Sequence, residues 1–295
     1  MKSVVSKHSF AFALVALVVV MLVYAIAPPT DVLSSFACTV ICAVLAGTAA
    51  IVLKRSLSRQ IIIQKASRKE MWDVRLVVFS TLLTAVVVGF ITWYFWVNGP
   101  ASLSSTASSA AAGEERAVSA RLNPLPFNGA AANLALLAAL YVCTGISEEC
   151  LFRGVLFAGI FSACQTQGFQ RAWLIAGLTQ AALFAVGHFD QMPATWSVIV
   201  VLQQIAKPLS AFAFGLVMAG LFYRARSLAV PILVHTAYDV ITCMPVDMAR
   251  GGMVFGYATG AGLDLLTQVI SLAVFAGMSV WAVGVLAGAR IQQTC

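Results

Sequence analysis

The sequence has little charge. Lys, Arg, Asp and Glu together make up 10% of its 295 residues, against about 25% in a soluble domain. With 61% hydrophobic residues and a mean hydropathy of +0.93, the chain reads as an integral membrane protein. No long polar stretch exists that would fold as a separate soluble unit. Seven cysteines contain no Cys-x-x-Cys pair, which argues against a zinc ribbon or a disulfide framework. Cys295 is the last residue, not the C-a-a-X arrangement that is prenylated. Histidine is scarce, with only His8, His188 and His235, and no internal repeat relates the halves. The net charge of +7 points to no nucleic-acid partner, because the basic residues cluster beside apolar runs, where they set topology.

What is present is a series of apolar runs. A spanning helix needs about 20 such residues, and on that measure eight spans are expected, near 10–27, 32–53, 76–97, 130–161, 172–189, 197–223, 228–245 and 262–289. The fold class is therefore an all-α, polytopic transmembrane helix bundle with its site inside the membrane. We divide it into spans one to three (1–97), an outer polar loop (98–129), a core (130–245) and a C-terminal span (246–295). The loop is Ala/Ser-rich and carries Glu114, Glu115, Arg116, Pro124 and Pro126. Lys207-Pro208 is expected to break or kink the sixth span. The first run ends in Ala25-Ile26-Ala27, like a signal-peptide cleavage site, but its length favours a retained span.

Basic residues set the orientation. With the N-terminus inside, the inner side collects Lys2, Lys7, Lys54, Arg55, Arg59, Lys65, Arg68, Lys69, Arg75, Arg171, Arg224, Arg226 and Arg290. The outer side receives Arg116, Arg121 and Arg250, with Asp31, Glu114, Glu115, Asp190 and Asp247. By the positive-inside rule both termini are cytoplasmic and the protein is a multi-pass cell-membrane protein.

Against this apolar background three polar motifs stand out. The first is Glu148-Glu149-Cys150-Leu151-Phe152-Arg153. A charge at bilayer depth costs roughly 2.5–3.5 kcal/mol even on a lenient scale, so such groups are functional candidates by default. Glu149 and Arg153 are four apart and can pair on one helix face, whereas Glu148 lies about 100° away and is left for chemistry. The second motif is Phe184-x-x-x-His188. In the third, His235-x-x-x-Asp239, a carboxylate can fix the histidine tautomer. Gln180, Gln203 and Gln204 read as amides that link helices. Trp93 to Trp96 read as an interfacial aromatic belt.

Glu-Glu-x-x-x-Arg, Phe-x-x-x-His and His-x-x-x-Asp/Asn, in that order on separate apolar segments, resemble the CPBP group of intramembrane proteases, also called the Abi family. This group includes CAAX proteases and bacteriocin-processing enzymes. The resemblance covers roughly residues 130–245 and implies an intramembrane endopeptidase acting on a membrane-presented or prenylated-type polypeptide. It carries over Glu148 as the carboxylate that activates water, Glu149 and Arg153 as partners in its motif, Phe184 with His188, and His235 with Asp239. In a metal-free scheme, Glu148 and His188 hold the water while His235, oriented by Asp239, supports the oxyanion. In a metal scheme, Glu148, His188 and His235 bind Zn²⁺. Because Asp239 stands where the family can carry Asn, and an ionised carboxylate cannot donate to an oxyanion, we favour the metal-free scheme.

Other readings of the same residues are a proton-coupled transporter or channel, for which Lys207-Pro208 would mark a broken helix, and a non-catalytic family member acting as a membrane scaffold. A nucleophilic Cys150 is disfavoured, since buried free cysteine is common as a small hydrophobe. The expected partners are the bilayer and a peptide or protein substrate. No motif specifies the substrate or the oligomeric state.

Overall fold

The computed structural model describes residues 8–57, 68–98, 121–189 and 197–288. Most of the expected polar loop, including Glu114, Glu115 and Arg116, lies outside the described residues, as do Lys2, Lys7, Arg59, Lys65, Asp190 and Arg290. The helices are α1 (Ser9–Ile26), α2 (Val32–Leu57), α3 (Arg68–Asn98), α4 (Ala130–Glu149), α5 (Ala158–Thr166), α6 (Ala172–Val186), α7 (Val198–Ala225), α8 (Ala229–Thr242), α9 (Met244–Arg250) and α10 (Gly262–Ala287). A π-helical segment, Cys150–Phe157, joins α4 to α5. The two short strands β1 (Arg121–Pro124) and β2 (Gly252–Phe255) pair antiparallel, with Arg121 opposite Phe255.

Seven helical stretches are long and apolar enough to cross a membrane, counting Ala130–Thr166 and Ala229–Arg250 as one each. The expected fifth span is the shorter α6, which at about 1.5 Å per residue falls short of a hydrocarbon core of about 30 Å. Membrane helices satisfy their backbone groups internally, so side chains decide what faces lipid. Along α3, for example, Leu76, Phe79, Leu83 and Phe90 are exposed while Val77, Thr81, Thr84 and Val88 are buried. The core gathers around the π segment, α6 and α7, with α7 the most enclosed span.

Two expectations about the helices change. α7 runs uninterrupted through Pro208, so Lys207-Pro208 marks no break. Neighbouring helices in a bundle tolerate such a proline by meeting its missing amide locally. Asp247, placed by the sequence in an outer loop, sits in α9, 7% exposed, and accepts a hydrogen bond from Tyr141 Oη of α4.

Helix ends follow local chemistry. Asp31 Oδ1 accepts from Ser34 N at 2.7 Å and Ser34 Oγ accepts from Asp31 N at 3.0 Å, a reciprocal cap opening α2. The Ser34 amide holds the Asp31 carboxyl below its usual range. α7 ends at Arg226 in the left-handed region (φ 54°). α8 follows, with Pro231 in the first turn, where its missing N–H breaks no helical bond.

Candidate active site

Close helix contacts bring the polar motifs together. α4 approaches α8 at Gly145, where an added Cβ would lie 2.3 Å from Thr236 Oγ1 and 3.1 Å from the Thr236 backbone nitrogen. One turn on from Gly145 is Glu149, and next to Thr236 is His235. α6 approaches α7 at Gly215, where a Cβ would meet Ala181 Cα at 3.2 Å. The π geometry begins just after the glutamate pair. π geometry within α-helices recurs at functional sites.

Glu149 and Arg153 are both fully buried and pair at 2.9 Å through Glu149 Oε1 and Arg153 Nη1, as the i,i+4 spacing leads one to expect. Arg153 Nη2 donates to the Gly215 carbonyl at 3.2 Å, and Gln180 Nε2 donates to the same oxygen at 3.1 Å. The guanidinium carbon stands 4.9 Å from the centre of the Phe184 ring, in cation–π range. Phe184 is 2% exposed and meets Phe152, His188 and His235 at centroid distances of 4.9, 4.4 and 6.1 Å. Its ring is the floor on which the other groups rest.

The orienting carboxylate of His235 differs from the one the spacing singles out. His235 Nδ1–H donates to Glu149 Oε1 at 2.7 Å, so Glu149 serves Arg153 and His235 at once. Asp239 is on the other side of the ring: its Oδ2 is 3.5 Å from Nε2, and Glu148 Oε2 is 3.6 Å from the same nitrogen. The sequence assigned the orienting role to Asp239 because i,i+4 neighbours are visible in one dimension. A carboxylate on another helix, 86 positions away, is not. The Nδ1 bond turns the Nε2 edge of His235 toward Glu148 and Asp239.

His188 lies in the turn after α6, and its Nδ1–H donates to the Phe184 carbonyl at 2.8 Å. In the neutral imidazole that leaves Nε2 without a proton and able to accept. The four groups Glu148, His188, His235 and Asp239 line one cavity of about 530 Å³, with Lys207, Phe214 and Tyr257 also on its wall. Glu148 is 30% exposed there, while Glu149 is shut away. The cavity lies in one half of the bundle. Its wall also includes Tyr24 late in α1, Ser35 early in α2, Thr92 late in α3 and Thr267 early in α10.

The His188 tautomer, with one nitrogen tied to a carbonyl, is the one a metal ligand uses. Among the described residues, however, no three His, Cys, Asp or Glu side chains come together as a set able to hold a metal ion. Glu148, His188 and His235 form no such set as these side chains stand, and no step below is routed through a metal. Cys150 is buried and is not among the residues of the cavity wall.

Sequence reasoning passed over Gly145, Gly215 and Tyr257. The glycines look ordinary on an apolar helix, and Tyr257 lies in a segment with no periodicity. Gln180 and Gln203 were legible as amides in apolar runs, and both link elements: Gln203 Nε2 donates to Thr259 Oγ1 and the Ala261 carbonyl at 3.2 and 3.1 Å.

These observations define a class of protein: a polytopic membrane bundle enclosing a cavity of ionisable groups at bilayer depth. Residues 130–241 match the family model described as type II CAAX prenyl endopeptidase Rce1-like. Over these residues the helical core is similar to the Rce1-like family, and the match supports a CAAX-type membrane endopeptidase in general terms. No curated protein and no solved structure matches the chain.

Proposed function

We infer that this protein is an intramembrane endopeptidase in which Glu148 activates the attacking water. The carrying observation is the contrast within the glutamate pair: Glu149 is fully buried and tied to Arg153 and His235, whereas Glu148 faces the cavity opposite the His235 Nε2 edge. Glu148 takes a proton from water as it attacks the peptide carbonyl. His188 Nε2, left as an acceptor by its bond to Phe184, holds the second hydrogen of that water. A doubly protonated His235 gives Nδ1–H to Glu149 and presents Nε2–H to the developing oxyanion. Asp239, beside the same nitrogen, balances that imidazolium. The proton on Glu148 then passes to the leaving amine.

The reading is tested by Glu148→Gln in purified protein assayed on a prenylated peptide. Loss of hydrolysis by about a hundredfold or more, with fold retained, is expected. Hydrolysis at the wild-type rate sinks it. Addition of a chelator is expected to leave the wild-type rate unchanged. Loss of activity that Zn²⁺ restores would move the mechanism to the metal scheme.

The same reading includes orientation. Lys54, Arg55, Lys69, Arg75, Arg171, Arg224 and Arg226 flank one end of the bundle, and the cavity lies in the half away from them. The positive-inside rule then puts the basic end in the cytoplasm and opens the cavity to the outer face. A reporter fused after Cys295 is expected to stay cytoplasmic, and an exported reporter would reverse the assignment.

A further inference from the structure

The strand pair beside the cavity has an open edge. β1 and β2 form a two-stranded sheet, and among the described residues no third strand joins it. Leu125 N donates to the Gly251 carbonyl at 3.0 Å, next in register to the pairs Pro124↔Gly252 and Asn123↔Met253. Hydrogen-bonded and non-hydrogen-bonded pairs alternate along an antiparallel ladder. Met253 and Phe255 therefore turn their amides and carbonyls toward β1, whereas those of Gly252 and Val254 point away from it. Pro124, which has no N–H, stands opposite Gly252, where the ladder needs none.

This edge is held in place and leads to the proposed reaction centre. Asp264 closes the loop at its base: Oδ1 accepts from Arg250 Nη2 at 3.2 Å, before β2, and Oδ2 accepts from Thr259 Oγ1 at 2.6 Å, after it. Gly260 N donates to Gln203 Oε1 at 2.8 Å, and Gln268 Nε2 donates to the Tyr257 carbonyl at 2.9 Å. Met253, Gly256 and Tyr257 lie on the cavity wall with Glu148 and His188. The Tyr257 ring stacks on His188 at 5.8 Å, and Lys207 Nζ is 4.2 Å from its centre. From Val254 to Tyr257 is about 10 Å of extended chain. Gly256, between them, has a φ of 109°, and its missing Cβ lets another backbone come close.

We propose that the open edge of β2 binds the substrate's backbone as an added strand, laying an extended stretch of peptide along the cavity wall toward His188 and Glu148. This rests on the endopeptidase reading above. A chain whose peptide bond is attacked must be extended there, since a helix keeps its carbonyls bonded along its own axis. Once out of water, the amides and carbonyls of that stretch need new partners. An open strand edge offers donors and acceptors at the matching spacing. Pairing of this kind holds a peptide through its main chain, whatever its side chains. It leaves a signature, because substrate amides that face β2 alternate with amides that face away.

The test uses the full chain in detergent and a prenylated peptide whose backbone amides are N-methylated one at a time. Wild type is expected to lose about tenfold in kcat/KM, mainly through KM, at every second amide of the paired stretch, and little at those between. Val254→Pro removes an outward N–H and leaves the ladder with β1 intact. It should raise KM about tenfold on the unmodified peptide and shrink the alternation, while Val254→Ala keeps wild-type behaviour. An equal loss at all amides, or at none, overturns the proposal, as does full alternation in a folded Val254→Pro. If Val254→Pro does not fold, the N-methyl series on wild type decides alone. A wild-type dimer that becomes a monomer in Val254→Pro, with no alternation, gives the edge to a second copy and overturns the proposal. If no peptide is hydrolysed, the endopeptidase reading fails separately. Equilibrium binding of the same peptides, fluorescently labelled, then decides the edge: alternation in affinity supports it, and a flat series overturns it.

Discussion

The two ends of the bundle use the same residue types in opposite ways. At the basic end Arg224 pairs with Glu70 at 2.7 Å and approaches Asp73 at 3.8 Å, each side chain being about a quarter exposed. Arg226 lies 4.0 Å from the Tyr223 ring centre and 5.8 Å from that of Trp173. Toward the cavity, Arg153 and Glu149 pair at a similar distance but with no exposure at all. Water and salt screen the first set, so each pair is an optional addition to a helix contact. Nothing screens the second, and each member holds the others in place. A charge at the basic end helps settle which way the protein sits, whereas a buried charge beside the cavity settles what faces the substrate.

The largest effect is expected where that contrast is sharpest. Arg153→Met leaves the buried Glu149 carboxylate with His235 alone and frees the Gly215 carbonyl from one of its two side-chain donors. Breaking a buried pair by removing one partner costs about 3–5 kcal/mol. The variant should unfold at markedly lower temperature and lose activity together with stability. Adding Glu149→Gln removes the orphaned charge and should recover part of the thermal stability without activity, because the Nδ1 anchor of His235 is weakened. Equal stability of the single and double variants would show that charge burial is not what makes this half of the bundle intolerant.

Much of this architecture was legible in one dimension. Apolar runs announce lipid contact, and i,i+4 spacing announces Glu149–Arg153. The illegible part depends on pairs that meet across helices. Glu149 as the carboxylate behind His235, Asp247 buried on Tyr141, and the row from Lys207 through Tyr257 to His188 each join distant positions. Proline misled for a different reason. Its cost in an isolated helix is real, but in a packed bundle neighbours absorb it, and α7 continues through Pro208. Glycine was silent because a missing side chain gives no pattern until the neighbouring helix is known.

An intermediate effect is expected between the two halves, at the α4–α8 contact. Gly145→Ala places a methyl against Thr236. Rotation of the threonine side chain relieves the 2.3 Å clash with Oγ1, but the backbone nitrogen at 3.1 Å stays. The helices must then separate by a few tenths of an ångström, at about 1–3 kcal/mol. The bond from His235 Nδ1 to Glu149, one turn away, lengthens with them. Activity should fall by about tenfold while the protein still folds. If Gly145→Ala lowers stability but leaves turnover intact, the Glu149–His235 geometry is set by something other than this approach.

The smallest effect returns to the basic end, where the operation applied to Arg153 is repeated on a screened residue. Arg224→Met removes the contacts with Glu70 and Asp73. Pairs with this exposure contribute about 0–1 kcal/mol, and the carboxylates left behind reach water, so no buried charge is stranded. The melting temperature should move little, and the difference from wild type should shrink further as salt is raised. Hydrolysis should be unchanged, because the α3–α7 contact lies away from the cavity wall. A loss of activity comparable to that of Arg153→Met would mean that the spacing of α3 and α7 at the basic end is transmitted along α7 to Lys207 and Phe214. The two ends would then be one mechanical unit.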